Sequence, residues 1–435
     1  MLAALLLGLA SCSNKEDVLR GPREDARATL QESEQAIDEP EVNTAPPIRL
    51  HAQITNPDWT HRNGSPQHRI TNPALKLPLT HAWSASIGSG NSRKNQITAS
   101  PVVAGGQIFT LDSRTTVSAH SISGALLWNT DLTPPTDQPG DASGGALAVA
   151  GGRLFVTTGF GTLFALDPEN GAKLWEQKLD AAMTGGVTVA GGIVYTVSRD
   201  GRAWALNAAD GRVRWEQPGV PPRAVIAGGA SPAVTSRLVV FPFGTGDVVT
   251  MLRQNGIRVW QAGVSGGRVG VARSSISDIT GDPVIEGNRV YVANQAGKTV
   301  AFDLQSGTRL WTAPEGALGP VWPAGGSLFL VSDDNKLMRL DADTGARIWE
   351  VELPGFVKAD KRSRVWVAVV ANYGPILAGG RLIVASSDGL LRLYDPVSGK
   401  LTGSTEVPGG AASAPVVAGG RLYVVSQKGD LHAFQ

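Results

Sequence analysis

The sequence predicts an all-β fold, an eight-bladed β-propeller of four-stranded antiparallel blades whose last blade is closed by an N-terminal strand. Two observations carry this. First, Gly-x-x-x-Trp recurs at Gly124/Trp128, Gly171/Trp175, Gly211/Trp215, Gly256/Trp260, Gly307/Trp311 and Gly345/Trp349, with a Trp-less copy at Gly399 to Gly403 and an isolated Trp83. Seven intervals from 83 to 403 average about 46 residues, a blade-sized period. Second, each copy carries the same order of short apolar runs and Gly turns. An Ala-Gly-Gly turn recurs at 104–106, 150–152, 190–192, 324–326, 378–380 and 418–420, where glycine supplies the positive φ of a two-residue hairpin. Runs such as Val290 to Ala293 and Leu422 to Val425 are almost continuously apolar, as strands are when both faces are buried between sheets. Composition agrees: Gly is 53 of 435 residues, whereas Phe, Tyr and Trp together make up 6%.

Before the repeats, Leu2 to Ala10 is an apolar run of signal-peptide length, too short to span a bilayer as a helix. It ends in Leu9-Ala10-Ser11-Cys12, which resembles the lipobox of bacterial lipoproteins, with the only cysteine in the position that is lipidated. Residues 1–11 are then a signal peptide, and Cys12 carries the acyl chains, palmitate among them, of a membrane anchor. Ser13 at the next position implies sorting to the outer membrane, on the periplasmic side, in a Gram-negative bacterium. Residues 12–45 read as a lipidated acidic tether: Lys15, Arg20, Arg23 and Arg27 face nine acids over 13–45, a net charge of −5. The propeller is expected over 46–435. Its eighth copy, from Ala414, stops after three strands, while His81 to Ala85 is a Trp strand with no copy before it, so one completes the other.

The Ala-Gly-Gly turn, the Ala165-Leu166-Asp167 type of strand ending and the Gly-x-x-x-Trp strand resemble the quinoprotein-type propeller repeat. With the lipobox, the acidic tether, eight copies and the lead-in Trp59 to His68, the chain resembles the BamB family, lipoprotein subunits of the outer-membrane β-barrel assembly (BAM) machinery. That resemblance implies a non-catalytic scaffold, monomeric within a hetero-complex, that binds the periplasmic domains of the BamA-like barrel insertase. It also implies two partner loops preceding successive blades, here Pro218–Ala230 and Gly263–Gly281. Ala224 and Ile226 match apolar positions of the first loop, with Ala227 where the family has Arg. Asp278 and Ile279 match the second, with Thr280 in place of an acid. Independently of the family, extra residues at 132–145, 218–230, 263–281 and 353–373 fall at one phase of the repeat and so emerge on one face of the ring.

The composition narrows the chemistry. A formal charge of +1 offers no bulk attraction to nucleic acid. One cysteine excludes an internal disulfide, a thiolate zinc site, an iron–sulfur cluster and covalent haem. Related propellers bind pyrroloquinoline quinone and oxidise alcohols, so a quinoprotein dehydrogenase is the alternative, and a periplasmic ligand-binding propeller comes third. The resemblance there is confined to the repeat, since those enzymes use a vicinal Cys pair and a Ca²⁺ site. The six histidines, 51, 61, 68, 81, 120 and 432, lack metal-ligand spacing and are expected at surface or capping positions. Asp200, Asp210 and Asp388 are expected to cap their own turns, and Lys358, Lys361, Arg362 and Arg364 beside Trp366 form a basic loop. No catalytic, cofactor or metal site is expected.

Overall fold

The chain divides into two units, Met1–Thr44 and Ala45–Gln435. The computed structural model describes residues 45–435 except 180, 184, 225–227, 265, 267–275 and 360–365. Cys12 and the acidic tether lie outside the described residues, as does Ile226.

Eight four-stranded antiparallel sheets follow one another along the chain. Blade 1 runs Val102–Ala104, Gln107–Leu111, Thr116–Ser121 and Leu126–Asp131, and blades 2 to 7 repeat the scheme from Gly145, Thr188, Ala233, Val284, Trp322 and Asn372. Blade 8 takes Val416–Ala418, Arg421–Val425 and Asp430–Phe434, and its outer strand is His81–Ser86, paired antiparallel with Asp430–Phe434. The ring therefore closes as the sequence predicts. A two-stranded hairpin, Phe356–Ala359 with Trp366–Val369, is added between blades 6 and 7. The only helical turn among the described residues is the 3₁₀ turn Arg62–Gly64.

The recurring glycine and tryptophan prove to be two halves of one contact. A Cβ on Gly171 would lie 2.5 Å from the Trp128 ring of the preceding blade. The same fit joins Gly211 to Trp175, Gly256 to Trp215, Gly307 to Trp260, Gly345 to Trp311, Gly399 to Trp349 and, across the closure, Gly124 to Trp83. All these glycines have positive φ, so both conformation and space demand the missing side chain. Except at Trp349, the indole N–H then donates to the adjoining blade: Trp128 to Pro168 O at 2.9 Å, Trp260 to Leu304 O at 2.8 Å, Trp311 to Ala342 O at 3.0 Å. Only the step from blade 7 to blade 8 lacks the pair. Blade 8 borrows its outer strand from the N-terminus, so no Gly turn precedes that strand, and Gly403 stands where Trp would have nothing to dock on.

Each innermost strand leaves an unpaired edge on the axis, where buried amides need acceptors. The lead-in supplies them. Val103 pairs with Trp59 in both directions, Val149 N donates to Thr60 O at 2.9 Å, Val189 N to His61 Nε2 at 3.1 Å, Val234 N to Pro66 O at 2.7 Å and Ile285 N to Gln67 O at 3.1 Å. Gly379 N donates to Pro73 O and Gly419 N to Asn56 O. Trp59, 1% exposed, stacks on Trp322 of blade 6 with ring centroids 6.2 Å apart. Residues 45–80 thus form a plug that reaches all eight blades.

The plug corrects the expectation of surface or capping histidines. His61 and His68 are buried within it, and His120 and His432 are buried in the sheets. The turn aspartates behave as predicted: Asp210 Oδ1 accepts from Arg212 N at 3.1 Å and Asp388 Oδ1 from Leu390 N at 3.3 Å.

Candidate partner-binding face

A blade's outer strand ends at the rim, and the chain must return to the axis to begin the next blade. All return segments therefore lie at one end of the ring together with the turns between second and third strands, and the turns between first and second and between third and fourth strands lie at the other. The plug is seated among the turns. On the return-loop side the channel opens as a funnel of about 370 Å³, its wall built from Gly144, Gly145, Gly185, Gly186, Gly228 and Gly229, with Arg62 of the plug reaching into it.

Arg62 ties the roots of the two predicted partner loops together. Its guanidinium donates to Gly228 O at 3.2 Å and Gly229 O at 2.8 Å, and its Nε lies 3.0 Å from Asp282 Oδ2. Asp282 Oδ1 also accepts from Ser231 N at 2.5 Å. Asp282 is fully buried, and a buried carboxylate is tolerated only when paired and hydrogen-bonded as here. Two blade entries and the plug are thereby one rigid base. Nearby, His61 accepts the Val189 amide at Nε2, so its neutral ring carries the proton on Nδ1, 2.8 Å from Thr60 Oγ1. Burial first, and His68 second, lower the His61 pKa from 6.5 to about 3. Burial also lowers that of His68, opposed by Asp282.

A family model described as outer membrane protein assembly factor BamB matches residues 113–351 and 356–435. The chain belongs to the BamB family. It is 30% identical over 335 residues to outer membrane protein assembly factor BamB of Escherichia coli K12, covering 75% of this chain and 81% of the relative. The BamB of Legionella pneumophila strain Paris is also 30% identical, over 77% of this chain and 82% of its own. Among solved structures, BamB from Moraxella catarrhalis superposes with a TM-score of 0.67 at 19% identity, over 82% of this chain and all of that one. A quinohemoprotein alcohol dehydrogenase from Comamonas testosteroni superposes with 0.65 at 16% identity, over 87% and 80%. At those identities the superpositions speak for the fold alone.

Against this BamB-family frame the predicted loop residues separate. Ala224 is exposed on the first loop. Asp278 and Ile279 are 4% and 1% exposed, so they do not form the second loop's tip as the sequence comparison implied. Ile279 packs with Ala230, Ala233, Val264 and Ile285 in the core beneath the loops, and Thr280 Oγ1 donates to Ala317 O at 2.8 Å. These residues brace the loop base. The side chains that do project are ones the sequence comparison passed over: Val220 at 69%, Leu318 at 52%, Phe356 at 67% and Val369 at 72% exposure. All four lie between an outer strand and the next inner strand, where the blade core makes no demand for apolar residues. That phase was the signal available in the sequence. Lys361, Arg362 and Arg364 lie outside the described residues.

Proposed function

We propose that this chain is a non-catalytic lipoprotein scaffold in outer-membrane protein assembly, anchored through Cys12, whose return-loop face binds the periplasmic domains of the barrel insertase. Membership of the BamB family and the names of its relatives support the assembly role. The observation that carries the binding face is the set of exposed apolar side chains on its return segments, Val220 on the loop rooted at Arg62 and Asp282, and Leu318, Phe356 and Val369 on later ones. Exposed apolar groups on a rigid base, rimmed by polar residues, are what a protein interface requires.

The quinone-enzyme reading fits these residues poorly. The plug's Arg62, which reaches into the funnel, is already committed to Asp282 and two carbonyls, and the wall, mostly glycine and small residues with Asp141, Met183 and Arg199, offers among the described residues no aromatic ring to stack on a quinone. No step through a quinone is therefore derived.

Affinity capture from detergent-solubilised membranes tests the proposal. Val220→Glu combined with Phe356→Glu should reduce co-purification of the insertase about tenfold or more, since each places a carboxylate in an apolar contact. Leu127→Glu on the rim of blade 1 should leave capture unchanged, and Cys12→Ser should abolish palmitate labelling. A folded loop variant that captures the insertase as well as wild type would place the contact on another surface.

A further inference from the structure

Blade 4 departs from the repeat at one turn. Where blades 2, 3, 5, 6 and 7 close the third strand with Asp167-Pro168, Asn207-Ala208, Asp303-Leu304, Asp341-Ala342 and Asp395-Pro396, and blade 1 with Ser121-Ile122, blade 4 has Leu252-Arg253. The repeat needs only backbone from the second of these residues. Arg253 supplies that, accepting from Trp215 Nε1 at 3.2 Å and Tyr195 Oη at 3.0 Å. Its side chain is surplus to the blade. At the same turn an acid is lost and a base gained, so this turn is more positive than its equivalents.

The guanidinium lies on the turn face, between blades 3 and 4. One nitrogen, Nη1, donates to Thr235 O at 3.2 Å, and Nη2 rests over Gly191, where a Cβ would approach to 1.9 Å. Its Nε is buried with no acceptor, a donor that costs stability while unpaired. The side chain lines an open groove of about 270 Å³ with Pro66, Gln67, Ala190, Val234 and Ser236. Arg237 joins the same turn, its carbonyl accepting the Arg253 amide at 3.0 Å, and Arg214 approaches from the outer strand of blade 3 through Gln254. The ion pairs nearby, Arg69 with Glu286 and Arg212 with Asp210, use up their own acids. Among the described residues no carboxylate is paired with Arg253, Arg237 or Arg214.

We infer that this groove is a second protein-binding site, on the face opposite the return loops, which takes an acidic, extended peptide segment and seats one carboxylate on Arg253. The planar guanidinium matches a carboxylate with two parallel hydrogen bonds. Gln67 and Ser236 offer polar partners to a peptide backbone, while Pro66, Ala190 and Val234 floor the groove with apolar surface. Arg237 and Arg214 add attraction for a segment carrying more than one acid.

The test uses the full-length lipoprotein in detergent with an acetylated, amidated peptide of alternating Glu and Ser, its Gln/Ser counterpart, and vesicles of phosphatidylglycerol. Fluorescence polarisation should show the Glu/Ser peptide bound at low salt, the Gln/Ser peptide at least about tenfold weaker, and binding weakening as salt rises. Arg253→Gln should lower affinity for the Glu/Ser peptide by roughly tenfold or more with the melting temperature unchanged, and Arg253→Lys should restore part of it. Arg237→Gln should lower it less. Equal binding of both peptides, or equal binding by wild type and Arg253→Gln, would overturn the inference. So would vesicle binding that depends on Arg253 without peptide binding, because the site would then read lipid phosphate. A large drop in melting temperature for Arg253→Gln with unaltered peptide affinity would make the side chain a staple between blades.

Discussion

The buried histidines of the plug couple its stability to pH. His61 and His68 are neutral in the folded chain because burial lowers both pKa values, that of His61 from 6.5 to about 3. The unfolded chain binds protons to both below about pH 6.5, so the stability held above that pH is lost progressively as pH falls, in the case of His61 down to about 3. Each group contributes a slope of at most about 1.4 kcal/mol per pH unit across its window. His61→Gln keeps a side-chain oxygen for the Val189 amide and removes one titration, so urea unfolding at pH 7 and pH 5 should show a shallower loss than wild type. An identical loss would mean that the imidazole of His61 does not drive it. Nothing in the spacing of six scattered histidines announced this, because their burial depends on where the lead-in lies relative to eight separate strands.

In every blade but the seventh the outer strand carries one tryptophan that packs between blades. Trp311 is 8% exposed, packs on Tyr291 at a centroid distance of 6.0 Å and meets the Gly345 turn of the next blade. Trp311→Ala should therefore cost about 3–5 kcal/mol by denaturant titration. Gly345→Ala should also be strongly destabilising, since its φ is +74° and the new Cβ would lie 2.5 Å from the Trp311 ring. Gly105→Ala, at φ +60° with nothing within 4 Å, should cost only the conformational strain of about 1–2 kcal/mol. Equal costs for the two glycines would contradict the interblade contact. This much was legible in the sequence as a period, but the pairing of each Gly with the Trp of the preceding copy was not, because partners about 40 residues apart meet only when sheets stack.

Across the whole molecule the ring is closed twice, by the strand His81–Ser86 and by the plug before it. A chain beginning at His81 keeps the closing strand and loses the acceptors of Val103, Val149, Val189, Val234 and Ile285. It should melt roughly 5 °C or more below a chain beginning at Ala45. Equal melting temperatures would reduce the plug to a passive filling. Because Arg62 joins the plug to Gly228, Gly229 and Asp282, the same truncation should weaken insertase capture through the loosened loop roots.

The sequence by itself determined the architecture: the repeat period, its turns, the number of copies and the borrowed strand are all local patterns repeated often enough to identify themselves. It also marked the face on which the return loops emerge, since that follows from their phase in the repeat. Tertiary structure alone decided which loop residues project. Asp278 and Ile279 lie in a loop segment of the sequence, yet they turn inward because the strand entry below them leaves an apolar space that Ile279 fills. It alone decided the fate of the lead-in as well. A segment without strand periodicity becomes the axle of the ring because eight blades converge on it, five of them with inner-strand amides that need acceptors, and that convergence exists only once the ring has closed.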